Sequence, residues 1–213
     1  MKTFEEFIAD AAQQRPVNLL FERGMYSLMD ELERITNVLR QAGVPFEIIG
    51  GIAMNAHIYG VNRSRTIGTI DIDVLVDRRD LQAIVSAAES AGYTGRKIMG
   101  GFMLIRPGQA PDEAVHLLFV GEKARSSHPV PNPAIYPEEK HLPDYGISIP
   151  VARLRDLVQM KLNSCRPKDE WHLEILDRCG LITPAIEADL PDVLRERLAQ
   201  VRARYPEDEF TSE

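Results

Sequence analysis

The sequence predicts an α+β fold, in which a short mixed sheet flanked by helices is followed by a helical C-terminal part. Helix and strand patterns alternate in the order αβαβαββ from Ser27 to Val120. A glycine pair, Gly50-Gly51, follows directly on one of the strands. From Val151 onward the apolar residues recur at helical spacing.

Phe4 to Ala12 reads as a short helix, ended by Pro16. Ser27 to Arg40 places apolar residues at helical spacing and stops at Gly43. Pro45-Phe-Glu-Ile-Ile49 reads as a buried strand, and Ile52 to Tyr59 as the helix after the glycine pair. Thr69 to Val76 is a second strand. Arg79 to Ala91 is a helix with Leu81, Ile84, Val85 and Ala88 on one face. Phe102–Arg106 and Ala114–Val120 read as strands, with Gly108 to Asp112 as the turn between them.

Residues 1–125 are thus expected to form the core with its N-terminal helices. Residues 126–150, with Pro129, Pro131, Pro133, Pro137 and Pro143, read as a proline-rich connecting loop. Residues 151–205 form the helical part, as helices at 151–164, 168–178 and 184 to about 204, and residues 206–213 a frayed tail.

The 44% apolar content, with both charge signs abundant, fits a packed globule. No apolar run approaches the ~20 residues of a membrane span. Glu5 and Glu6 precede any apolar stretch, which is unlike a signal peptide. The only cysteines, Cys165 and Cys179, fall in separate expected helices, so a reducing cytoplasm is the expected setting. The net charge of −7 argues against a duplex-DNA partner. The oligomeric state is open.

The stretch Thr69-Ile-Asp-Ile-Asp-Val-Leu-Val76 carries the most chemistry. Aspartate is depleted in strands, and the strand period of two turns Asp71 and Asp73 to one face. Carboxylates that close repel unless something positive lies between them. Mg²⁺ (or Mn²⁺) is the simplest candidate. The bland alternative is a strand end in solvent, but Val74-Leu-Val continues the apolar run past the pair. Upstream, a glycine pair at a strand-to-helix turn lets backbone amides approach an anion, and the helix N-terminus adds partial positive charge. One element could hold phosphate while the next strand holds metal. His57 reads as a packed core histidine, and His128 and His141 as solvent-facing loop residues. Strand alternation puts His116 on the face opposite Val115, Leu117 and Phe119. It then either faces the aspartates as a neutral ligand or packs.

At Gly50-Gly51-Ile-Ala, at Arg65 and Thr69, and at Asp71-Ile-Asp73 the chain resembles the nucleotidyltransferase superfamily of DNA polymerase β type. Lys161-Leu-x3-Arg166-x-Lys168-Asp169 resembles the helical motif of its bacterial abortive-infection and toxin–antitoxin branch. The resemblance implies a nucleotidyltransferase-like fold and a metal-dependent transfer of a nucleoside monophosphate from a nucleoside triphosphate to an acceptor. It implies Asp71 and Asp73 as metal ligands, and Gly50, Gly51, Arg65, Thr69, Lys161 and Arg166 on the nucleotide side. The acceptor stays open among protein, tRNA and small molecule. The superfamily's third carboxylate falls in Val115-His116-Leu-Leu-Phe119, where His116 stands in its place, and Glu113 is the other candidate ligand. His172 likewise occupies a position that is often aspartate in the helical motif. The alternative is a catalytically silent protein that binds nucleotide or a partner protein in a two-gene system. The basic cluster around Lys161 has its own bland alternative, a solvated helix face.

Overall fold

The computed structural model describes residues 19–62, 65 and 67–205. The expected helix Phe4–Ala12 and the tail from Pro206 lie outside the described residues. The first described helix, α1 (Leu19–Gln41), precedes β1 (Phe46–Ile49) and α2 (Gly50–Tyr59). Then come β2 (Ile72–Val76), α3 (Leu81–Ser90), β3 (Thr94–Ile98), β4 (Gly101–Ile105) and β5 (Val115–Phe119). A hairpin of β6 (Glu138–Leu142) and β7 (Ile147–Val151) leads into α4 (Leu154–Ser164), α5 (Pro167–Arg178), α6 (Pro184–Ala188) and α7 (Asp192–Arg204).

The strands form one mixed sheet in the order β3-β4-β5-β2-β1-β7-β6. β2 sits near its centre, antiparallel to β1 and parallel to β5. Ile72, Val74, Leu75 and Val76 of β2 are fully buried although they alternate in direction, so both faces of this strand are covered. α1 packs against α3, α2 against β1, β2 and α4, and α4 against α5 and α7. The α+β expectation and the helical C-terminal part hold.

Three strands escaped the sequence reading. β3, Thr-Gly-Arg-Lys-Ile, is an exposed edge strand whose charges guard an open edge. The expected loop 126–150 is shorter than anticipated, because residues 138–151 fold into the β6–β7 hairpin. Its turn closes from Tyr145 N–H to the Leu142 carbonyl, with Gly146 at φ +64. Pro150, which cannot donate to a ladder, disguised β7.

What remains irregular, Val120 to Pro137, is a strap fastened to the core. The Asn163 side chain accepts from Val130 N–H at 3.1 Å and donates to the Val130 carbonyl at 2.7 Å. Asn132 donates to the Phe119 carbonyl, and Glu47 of β1 accepts from Tyr136 N–H at 3.0 Å.

Two buried titratable groups lack full satisfaction. One oxygen of Glu47 and both ring nitrogens of His172 on α5 have no partner among the described residues. Burial, aided by Asp156 and opposed by Tyr136 N–H, pushes the Glu47 carboxyl up to about 7 from 4.5. Burial, reinforced by Lys161 and Lys168, pulls the His172 imidazole down to about 4 from 6.5. The signs oppose. Folded Glu47 keeps a proton that the unfolded chain releases near pH 4.5, so its contribution to stability falls as pH rises towards 7. Folded His172 refuses a proton that the unfolded chain takes up below pH 6.5, so its contribution rises with pH from about 4. Glu47→Gln is therefore expected to make stability climb more steeply with pH than in the wild type. The gain in slope should be about 1.4 kcal/mol per pH unit in the overlap of the two windows. His172→Leu should make the profile shallower by a similar amount. Urea unfolding from pH 4 to 7 measures both, and parallel profiles for all three proteins would refute the assignment.

Candidate active site

Asp71 and Asp73 are set by β2. Asp71 immediately precedes the strand, and Asp73 is paired across the ladders with Ile49 of β1 on one side and His116 of β5 on the other. The register places the histidine beside the aspartate, so of the two readings of His116 the structure takes the one that faces the carboxylates. Its Nδ1 lies 3.7 Å from Asp73 Oδ1, beyond hydrogen-bond reach. One ligand atom each from Asp71, Asp73 and His116 lie within 4.8 Å of one another, and all three residues are half-buried. The Asp73 carboxylate, with Asp71 adding to it, raises the His116 pKa above the ordinary imidazole value, against the effect of burial. Glu113 is outside this group: it accepts from Ala110 N–H at an exposed turn.

The glycine pair answers first to these side chains. Gly50 has φ +69, and a Cβ there would lie 2.2 Å from Asp73 Oδ2. A Cβ on Gly51 would lie 2.7 Å from the Thr69 hydroxyl oxygen. Thr69 is buried, and its hydroxyl donates to Asp71 Oδ1 at 2.9 Å, which fixes that carboxylate. Gly50 and Gly51 are also the first residues of α2, whose N-cap Ile49 offers no side-chain bond and whose first turn carries no acid. The positive end of the helix therefore stands beside the aspartates without a side chain of its own to cap it.

The opposite wall comes from α4 and α5. Cys165 ends α4 in the left-handed conformation at φ 48, and Arg166 is extended ahead of Pro167, the first residue of α5. That tight reversal folds Asp169 back onto α4. Lys161 Nζ bonds Asp169 Oδ1 at 2.9 Å, Arg166 Nε bonds Oδ2 at 2.7 Å, and the Ser164 hydroxyl donates to Oδ2. Burial opposes ionisation of Asp169, but these partners outweigh it and hold the carboxyl far below its usual range. The Lys161 side chain is 11% exposed, so it is not a solvated surface lysine.

Between the two walls runs a cleft lined by Gly50, Asp71, Asp73 and His116, by Lys161, Arg166 and Asp169, and by Arg125 of the strap. Arg65 is exposed and is not among the lining residues. His128, expected in solvent, is buried instead against Asn163, at 3.5 Å between their nitrogens. His57 packs as expected, with Nε2 at 2.9 Å from the Ala152 carbonyl oxygen. The sequence reading missed the Asp169 pairing and the place of Arg125. Asp169 was visible at three residues from Arg166, where an α-helical turn brings side chains together.

The mixed sheet, the aspartate pair at the start of its central strand and the glycine turn against that pair match what the resemblance to nucleotidyltransferases implies. The chain belongs to the family described as uncharacterised nucleotidyltransferases, whose model matches residues 17–206. No curated protein matches it. Among solved structures it is similar to an antigenic nucleotidyltransferase-like protein from Paracoccidioides brasiliensis. The two are 14% identical, with a TM-score of 0.50 over 84% of this chain and 88% of that one. It is also similar to ANT(2")-Ia in complex with adenylyl-2"-tobramycin, at 15% identity and a TM-score of 0.48 over 83% and 97%. A tRNA nucleotidyltransferase with primer tRNA and an ATP analogue gives 14% and 0.36 over 80% and 50%. The first of these, at a TM-score of 0.50, is a likeness of fold.

Because Asp169 is 1% exposed, removing one of its cations leaves a buried charge underpaired. Lys161→Met is expected to lower the unfolding free energy by about 3 kcal/mol, as for other broken buried pairs. Urea unfolding at pH 7 measures it. A loss under about 0.5 kcal/mol, the usual surface value, would show that water screens the pair.

Proposed function

We propose that the protein is a metal-dependent enzyme that transfers a nucleoside monophosphate from a nucleoside triphosphate to a hydroxyl acceptor. The observation that carries this reading is the convergence of Asp71, Asp73 and His116 at the uncapped N-terminus of α2. The donor set fits a divalent ion. Two carboxylates offer hard oxygens suited to Mg²⁺, and the 3.7 Å gap between Asp73 and His116 is too wide for a hydrogen bond. Asp71 and Asp73 would hold the ion, with His116 as a neutral third donor that favours Mn²⁺. The ion would supply charge neutralisation at the transferring phosphoryl group.

The residues of the chain divide the remaining work. Thr69 keeps one Asp71 oxygen occupied and so aims the other. The N–H groups of the first turn of α2, at Gly50 and Gly51, are assigned to the outer phosphates. Lys161 and Arg166 face the cleft with one net positive charge once Asp169 is subtracted, which suits a triphosphate. Apart from the aspartate pair, Asp169 is the only carboxylate among the described lining residues, and its oxygens are taken. We therefore read the acceptor as neutral or anionic rather than polycationic. Arg65 is exposed and does not line the cleft, so it is not assigned to the nucleotide.

A second reading, a silent protein that binds nucleotide or a partner as in a toxin–antitoxin-like pair, is favoured by one observation. Imidazole stands where the superfamily has a third carboxylate, and a neutral donor holds a second Mg²⁺ weakly.

A nucleoside triphosphate with Mg²⁺ or Mn²⁺ is expected to raise the melting temperature, equivalent to roughly 2.7 kcal/mol at a hundred times Kd. Asp71→Asn with Asp73→Asn should erase the shift and leave the apo fold intact. An undiminished shift in that variant would remove the metal assignment.

His116→Asp is expected to raise Mg²⁺-dependent transfer of labelled nucleotide, whereas the wild type should work better in Mn²⁺. Fast transfer by the wild type in Mg²⁺ would contradict the weak second site. Binding without transfer by either protein, across several acceptors, would favour the silent reading.

A further inference from the structure

The charge balance of the cleft singles out Arg125. The sequence offers Lys161 and Arg166 to a triphosphate, but both bond the same buried carboxylate, and Ser164 shares it. Their field on a ligand is that of one charge rather than two. Arg125 also lines the cleft, on the strap, and its guanidinium is paired to no carboxylate among the described residues.

Its place is held by structure on both sides. The turn closes from His128 N–H to the Arg125 carbonyl at 3.0 Å. His128 is buried against Asn163, which also clamps Val130. On the other side the β3–β4 turn abuts the strap so tightly that a Cβ on Gly100 would lie 1.9 Å from the Ala124 carbonyl oxygen. Arg125 is therefore a cation on an anchored turn. Burial, with Arg125, Arg197 and Arg166 around it, lowers the His128 pKa, so the histidine adds no charge of its own near neutral pH.

We propose that Arg125 binds the triphosphate tail and the pyrophosphate that leaves it. The inference rests on the nucleotidyltransferase reading above. In that transfer the acceptor oxygen bonds the α-phosphorus as the bond from that phosphorus to the bridging oxygen breaks. The bonding electrons go to pyrophosphate, and the hydroxyl proton goes to solvent. Negative charge therefore accumulates on the departing group, where an always-protonated guanidinium with a planar fork of donors matches phosphate oxygens. The carboxylate-bound Lys161 and Arg166 have fewer donors left for it.

The test is calorimetric binding in Mg²⁺ by the wild type, Arg125→Ala, Arg125→Lys and Lys123→Ala. Lys123 is exposed on the same strap and lies off the cleft lining. The probes are inorganic tripolyphosphate, the four ribonucleoside triphosphates and the four monophosphates. Arg125→Ala should weaken tripolyphosphate and triphosphate by about tenfold or more, the worth of one charge-assisted bond. Monophosphate binding should not change, Arg125→Lys should recover part of the loss, and Lys123→Ala should bind as the wild type does. Equal tripolyphosphate affinity in wild type and Arg125→Ala would overturn the proposal, as would an equal loss for monophosphates or no tripolyphosphate binding by the wild type. The two readings fail separately. Tripolyphosphate held through Arg125 without nucleotide binding sinks the transferase reading and leaves the anion site standing. Nucleotide binding that ignores Arg125 does the reverse.

Discussion

The repulsion between Asp71 and Asp73 is the constraint around which the rest of this molecule is arranged. Two carboxylates brought together at the start of a central strand repel each other, and the backbone that enters β2 keeps them close. Each neighbour eases that cost. Thr69 donates a hydroxyl to Asp71, His116 stands beside Asp73 in register, and the N-terminus of α2 brings partial positive charge. The helix can come that close only because Gly50 has no side chain. A packing requirement and an electrostatic one therefore fall on the same residue. A strand-helix turn with any larger residue at Gly50 would displace Asp73 itself.

Across the cleft the logic is inverted. Asp169 is a carboxylate surrounded by cations, and its function is architectural as much as electrostatic. It ties the end of α4 to the start of α5 through Lys161, Ser164 and Arg166. The left-handed Cys165 that makes this reversal is the one non-glycine residue with positive φ among those described, a conformation costing about 1 kcal/mol. Its thiol meets Glu170 at 3.7 Å, a contact across the same turn. The price of the knot is that its cations are partly spent on Asp169.

Much of this was legible in the sequence, for stated reasons. Period-two alternation was enough to put Asp71 and Asp73 on one face and to turn His116 away from Val115 and Leu117. The pairing of β5 beside β2 then made them neighbours, and that step needs the sheet order, which no local pattern carries. Burial of Lys161 was illegible for a related reason. A basic residue on an amphipathic helix looks the same whether its partner is water or an aspartate brought round by a turn. The prolines misled in one direction only: they marked the strap correctly and hid β7 behind Pro150. Edge strand β3, with Arg96 and Lys97, was hidden by the very charges that protect it.

The strap shows how a segment poor in regular structure can still position chemistry. Its hold on the core runs through side-chain-to-backbone bonds: Asn163 and Glu47 bond the strap's backbone, and the strap's own Asn132 donates to the Phe119 carbonyl of β5. Glu47 is the costliest of these, since it is buried on β1 with one oxygen unpartnered. It holds Tyr136 N–H, while Asn163 holds the strap nearer the cleft. The sheet that carries the aspartates thus also carries an anchor for the strap. Glu47 ties the far end of the strap to β1, while the turn that carries Arg125 is held by His128 against Asn163 of α4.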